Sequence, residues 1–252
     1  MLYQAKNKAV QIGNTVMTYA EFGTGEKNLI MIPGLGDGLR TDRKLAYMYA
    51  ILYGKFAKDY KVYVFSQKTI MPDRYSTGKM ARDVKEAMDA LGIAKADVIG
   101  VSLGGMIAQH LAADYPEVVR KLVLVVTSAR RNQYIQACIS SWIEMAKRGD
   151  YRRLMVDNLK KMYTKEYLEK NKWLTAVAGK IGKHTLLIDR RHARIGFCNH
   201  RNLRNSLHGT YHRFQLIRAD RTVQSYCRCA KLLQSFYHFN CRSAIQCTTV
   251  CL

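Results

Sequence analysis

The chain of 252 residues, 48% hydrophobic and 24% charged, has the balance of one medium globular domain and enough apolar mass to bury a core. No apolar run approaches the roughly 18 residues of a membrane span, and Met1–Lys6 lacks the apolar stretch and small-residue site of a secretory signal; the expected compartment is the cytoplasm. The net charge of +22 suggests nucleic acid or a membrane surface, but it is unevenly spread. Residues 1–182 hold 29 Lys+Arg against 17 Asp+Glu, and residues 183–252 hold 12 against 2. The dispersed lysines of the first part read as a solvated face, and no nucleic-acid partner is expected.

In chain order, Lys8–Gln11 and Thr15–Glu21 form a predicted hairpin turned by Ile12-Gly13-Asn14. Asn28–Ile32 is a continuous apolar run closed by Pro33-Gly34, as expected of a strand buried on both faces. Lys61–Ser66, Ala96–Val101 and Lys121–Val126 repeat that pattern. Between the strands lie helical patterns at Lys44–Asp59, at Ser76–Leu91 with Ser76 and Thr77 as candidate caps and Gly92 as stop, and at Leu103–Tyr115 before Pro116. Strands alternating with helices predict a mostly parallel sheet covered on both faces. From Asn132 to about Trp173 the pattern is helical without strands and breaks at Gly149-Asp150, so residues 130–175 read as a helical cap over the carboxyl edge of the sheet.

Gly100-Val101-Ser102-Leu103-Gly104-Gly105 satisfies G-x-S-x-G, and its context is specific: an apolar strand precedes it and a helix follows. A turn from strand to helix within about two residues strains the backbone at the serine. Glycines on either side remove side chains that would collide. The hydroxyl is thereby raised to the sheet edge at a helix N-terminus, where free N–H groups favour negative charge. Pro33-Gly34-Leu35-Gly36-Asp37-Gly38 follows the Asn28–Ile32 strand. The backbone N–H of Leu35 and that of Leu103 are the candidate donors of an oxyanion hole. A phosphate-binding reading of this loop fails, because neither a Gly-Lys-Ser/Thr ending nor G-x-G-x-x-G is present.

On these residues, over roughly positions 8–175, the chain resembles the α/β-hydrolase superfamily, particularly its small ester-cleaving and carbon–carbon-cleaving members. The resemblance implies an α/β-hydrolase fold, Ser102 as nucleophile on an ester or similarly activated carbonyl of a small molecule, and no metal or organic cofactor. It also implies a histidine base and an orienting carboxylate. The family's usual first-loop His-Gly is Pro33-Gly34 here, a tolerated departure because the backbone supplies the donor. By family order the acid follows the strand after the cap and the histidine follows the last strand. Asp220 and His238 stand in that order, but His238 lacks the glycine-bearing turn that usually presents this base. His110, two helical turns beyond Ser102, lies about 12 Å along the axis and reads as a packed or surface histidine.

Composition changes after Gly182. Six of seven cysteines and six of seven histidines lie beyond it, and arginine replaces lysine as the main cation. Three explanations compete for residues 183–252. A metal or nucleic-acid module is disfavoured, because Cys227-Arg228-Cys229 has no second paired unit, and a disulfide framework does not suit a cytoplasmic chain. An unusual native C-terminus and a reading-frame slip near codon 183 remain, and the simultaneous change of many residue frequencies favours the slip. If the tail is foreign, Ser102 lacks its base and the chain is a catalytically inert or truncated hydrolase-fold protein. The strand Leu122–Val126 is then left as an uncharged edge that invites aggregation.

Overall fold

The structure, a computed structural model, describes residues 2–34, 45–72, 75–128, 133–176 and 248–251. Among these residues, seven strands form one sheet in the order β1-β2-β4-β3-β5-β6-β7. They are β1 (Lys6–Ile12), β2 (Thr15–Phe22), β3 (Lys27–Ile32), β4 (Tyr60–Lys68), β5 (Ala96–Val101), β6 (Val119–Thr127) and β7 (Thr248–Cys251). β1 and β2 are the predicted hairpin, with Ile12 opposite Thr15 and Gly13 at φ +51 in its turn. β4, β3, β5 and β6 are mutually parallel, and Ile32 stands beside Gly100. Their carboxyl ends therefore lie along one rim, where a parallel α/β sheet carries its ligand sites.

Leu29, Ile30 and Ile32 on β3 are each 1% exposed or less. A strand apolar on both faces needs cover on both sides, and each such side chain contributes about 1.5–3 kcal/mol on burial. One face carries α2 (Thr77–Ala90) and α3 (Leu103–Asp114), with Met80, Met88, Ile107 and Leu111 interleaved with Ile30, Val98 and Leu122. On the other, α1 (Leu45–Leu52) packs Ala46, Tyr49 and Ala50 against Phe22, Leu29 and Val62. α1 is shorter than the Lys44–Asp59 pattern suggests, because the chain tightens into a 3₁₀ turn at Gly54–Phe56. Its Tyr47 and Ile51 are both 61% exposed. α2 starts as predicted, with the Ser76 hydroxyl accepting from the Lys79 amide at 3.2 Å.

Two buried carboxylates are paired. Asp83 on α2 accepts from Tyr75 and pairs with Lys68 at 3.1 Å. Burial, reinforced by that carboxylate, holds the Tyr75 phenol far above its ordinary pKa. Asp97 at the amino end of β5 accepts from Tyr60 at 3.0 Å and from Arg120 at 2.8 Å.

After β6 the chain forms α4 (Gln133–Lys147), α5 (Tyr151–Met162) and α6 (Lys165–Lys170), and residues 172–176 are also helical. α4 and α5 part at Gly149, φ +71, as the sequence suggests. A second break at Tyr163-Thr164, where the Thr164 hydroxyl caps α6, was not anticipated. Where a foreign tail would leave β6 as a bare edge, β7 lies antiparallel along it, placing Leu124 opposite Val250. Among the described residues, no helix is long and apolar enough to cross a membrane.

Candidate functional site

β5 ends at Val101, α3 begins at Leu103, and Ser102 alone makes the turn with φ 54 and ψ −115. A non-glycine residue in this region carries backbone strain, and the surroundings show what holds it there. Gly100 faces α3 so closely that a Cβ would stand 2.5 Å from the Gly104 carbonyl oxygen. A Cβ on Gly104 would stand 1.9 Å from the Ile32 carbonyl oxygen. Larger residues at either position would push the helix off the sheet, so the glycine spacing read in the sequence is what lets α3 start immediately behind the serine.

The turn leaves Ser102 exposed while Leu103, Gly104 and Gly105 are buried. The Ser102 carbonyl accepts from the Gly105 and Met106 amides at 3.0 and 3.3 Å. The preceding amides, Leu103 and Gly104, stand at the open N-terminus of α3, where helix geometry provides no acceptor. The Leu103 N–H is thus one residue beyond Ser102 and at the positive end of the helix dipole. Gly34 closes the site from β3: a Cβ there would lie 3.3 Å from Ser102 Cβ and 3.8 Å from its Oγ. The end of β3 and the serine are therefore neighbours, as the paired motifs require. Leu35, the other candidate donor, lies outside the described residues, as do Asp220 and His238.

His110 is not part of this arrangement. It points from α3 toward the start of α2, with Nδ1 3.5 Å from Asp114 and 3.6 Å from where a Cβ on Gly78 would be. Burial lowers its pKa, and the Asp114 carboxylate opposes that in part. Cys138 is a half-buried free thiol on α4. Among the described residues, no group of three His, Cys, Asp or Glu side chains could hold a metal ion.

Two contacts at the serine were missed from sequence. The Ser102 amide donates to the Val125 carbonyl at 2.9 Å, and the Thr127 hydroxyl donates to the Ser102 carbonyl at 2.7 Å. The only sequence signal was that β6 ends close to the register of β5.

Residues 27–166 match the family model described as alpha/beta hydrolase fold. Over 75 residues the chain is 39% identical to a putative carbamate hydrolase, RutD, of Caulobacter vibrioides, covering 30% of this chain and 28% of that protein. Over 124 residues it is 31% identical to 2-hydroxy-6-oxo-6-phenylhexa-2,4-dienoate hydrolase of Comamonas testosteroni, covering 48% and 43%. The chain thus spans less than half the length of these relatives. The fold is shared with the enol-lactonase of Burkholderia xenovorans LB400, at a TM-score of 0.57 and 21% identity over 74% of this chain and 73% of that one. The parallel sheet, the glycine-flanked serine turn and the match over more than half its length lead to one assignment: the chain belongs to the alpha/beta hydrolase fold family.

Proposed function

We propose that the chain is a serine hydrolase in which the Ser102 hydroxyl attacks an ester or similarly activated carbonyl of a small molecule. The observation that carries this reading is the left-handed backbone of an exposed serine at the head of α3. That conformation has a cost, and what it achieves is to set a hydroxyl beside unsatisfied amides. As the carbonyl becomes tetrahedral, its oxygen gains negative charge. The Leu103 N–H, with that of Leu35 as second donor, stabilises the charge at the helix N-terminus. Relatives named for carbamate and dienoate hydrolysis support a small substrate with an activated carbonyl. The compartment this reading assigns is the cytoplasm. The reading needs no metal or organic cofactor. The helices of residues 133–176 serve as a cap that shapes the substrate pocket above the sheet rim, within a core-and-cap unit of residues 1–182.

A second reading is favoured by one observation: His110, the only histidine among the described residues, faces α2 rather than Ser102. If the Asp220–His238 pair does not supply the base, the hydroxyl stays a weak nucleophile and the chain is an inert member of the family. A fluorophosphonate probe separates the two. Stoichiometric labelling, mapped to Ser102 by mass spectrometry and absent in Ser102→Ala, is expected for the hydrolase. An unlabelled serine in folded protein leaves the inert reading.

A further inference from the structure

We infer that Thr127 is a positioning residue for this site: joining the Gly105 and Met106 amides on the Ser102 carbonyl, its hydroxyl fixes the direction of the Leu103 N–H of the same peptide. The inference rests on the nucleophile reading above. In a parallel ladder, a residue's N–H and C=O bond to a carbonyl and an amide two residues apart on the neighbouring strand. The first of these bonds is intact, from the Ser102 amide to the Val125 carbonyl at 2.9 Å. The second would fall to the backbone of residue 127. Ser102, however, has left the strand, and Val126 carries φ 45, a left-handed conformation uncommon for a β-branched residue. The Thr127 side chain makes the bond instead, its hydroxyl 2.7 Å from the Ser102 carbonyl oxygen.

The consequence follows from peptide planarity. The Ser102 C=O and the Leu103 N–H belong to one rigid plane and point in opposite directions, so a donor that fixes the carbonyl fixes the amide. The bond also polarises the peptide and makes the N–H a better donor. The placement is tight. Thr127 is 9% exposed, and a Cβ on Gly105 would stand 2.5 Å from its Cβ and 2.6 Å from its Oγ1. The second glycine after the serine therefore leaves room for this side chain.

The test compares Thr127→Val, which exchanges the hydroxyl for a methyl of similar size, with Thr127→Ser, which keeps it. Thr127→Ala serves as a second hydroxyl-free variant should valine disturb folding. With a fluorophosphonate probe, the second-order labelling rate of Ser102 is expected to fall about tenfold in the valine and alanine variants, less than direct loss of an oxyanion donor. The serine variant is expected to stay within about threefold of the parent. On p-nitrophenyl acetate the loss should fall on kcat with KM unchanged, which a general loosening of structure would not produce. A readout independent of activity is the Leu103 amide nitrogen resonance, expected to move in Thr127→Val and Thr127→Ala and to return in Thr127→Ser. An unmoved resonance, or a serine variant no better than alanine, overturns the inference. If the parent protein takes no label, the nucleophile reading fails, and the resonance alone decides whether Thr127 sets this peptide.

Discussion

The sheet with α2 and α3 and the helices of residues 133–176 are built on different terms. In the first, side chains from both layers interlock, and even the carboxylates of Asp83 and Asp97 are buried and paired. In the second, Ala146 and Tyr151 are the only buried residues among those described, and α4 meets α5 through contacts such as the Trp142 indole donating to Asp157 at 2.7 Å. The sheet has a single arrangement because most changes would open a void or strand a charge. The helices of residues 133–176 keep their shape largely through local helix geometry and a few polar ties. Ser102 and its strained turn sit on the first kind of structure.

The sharpest way to break this contrast is to load each region with one methyl group. Gly104→Ala is expected to lose about 3 kcal/mol or more of stability, since its Cβ would lie within 1.9 Å of the Ile32 carbonyl oxygen. Gly149→Ala, in open space at φ +71, should cost only about 1 kcal/mol for its backbone conformation. Urea denaturation of the two variants measures both, and equal losses would erase the distinction.

Charge pairs give the next largest effect. Asp83→Asn leaves the Lys68 ammonium without its partner in a site where the lysine side chain is 16% exposed, and a loss of about 3 kcal/mol is expected. Asp157→Asn breaks the more open pair with Lys161 on α5 and should cost less than about 1 kcal/mol. Thermal midpoints at matched salt distinguish them.

Replacing the serine sharpens the comparison from inside the rigid region. Ser102→Gly should raise stability by about 1 kcal/mol by relieving the φ 54 backbone. Ser102→Ala, which keeps a Cβ in the same conformation, should leave stability nearly unchanged. Both should lose all labelling by the fluorophosphonate probe. A glycine variant no more stable than alanine would show that the turn is not strained.

The smallest expected effect concerns His110. Burial holds its imidazole below the ordinary pKa, with Asp114 opposing in part, so the folded chain binds this proton less readily than the unfolded one. Stability is therefore complete above the ordinary histidine pKa of about 6.5 and declines as pH falls below it. His110→Gln should flatten the fall in urea midpoint between about pH 7 and pH 5. An unchanged slope would assign the acid sensitivity elsewhere.

Much of the fold could be read before any coordinates, and the reasons are local. Short apolar runs such as Leu29–Ile32 and Val98–Val101, each closed by a turn signal, suit strands buried on both faces of a parallel sheet. Gly100 and Gly104 flank Ser102 between an apolar strand and a helical pattern, and that context marks a strand–turn–helix junction. What escaped the reading depended on partners distant in sequence. Nothing in Val125-Val126-Thr127 announces that its carbonyl and hydroxyl will hold Ser102 from both sides, because that depends on register with β5. β7 is four residues long, Thr248–Cys251, and its β-branched Thr248, Thr249 and Val250 are too short a run to mark a strand without the edge of β6. Leu35, Asp220 and His238 lie outside the described residues.

The antiparallel seam between β6 and β7 bears on the order in which the molecule assembles. Leu124 and Val250 are separated by about 126 residues, whereas β3, β4 and β5 join over far shorter stretches. Closing so long a loop adds little to the equilibrium cost, since that entropy grows only logarithmically, but it slows the step. The parallel strands that carry the serine turn can thus associate first, and the seam at their margin closes last. In that interval β6 offers an unpaired hydrogen-bonding row to any other chain nearby, so yield of correctly assembled protein should fall with concentration during refolding even where the finished sheet is sound.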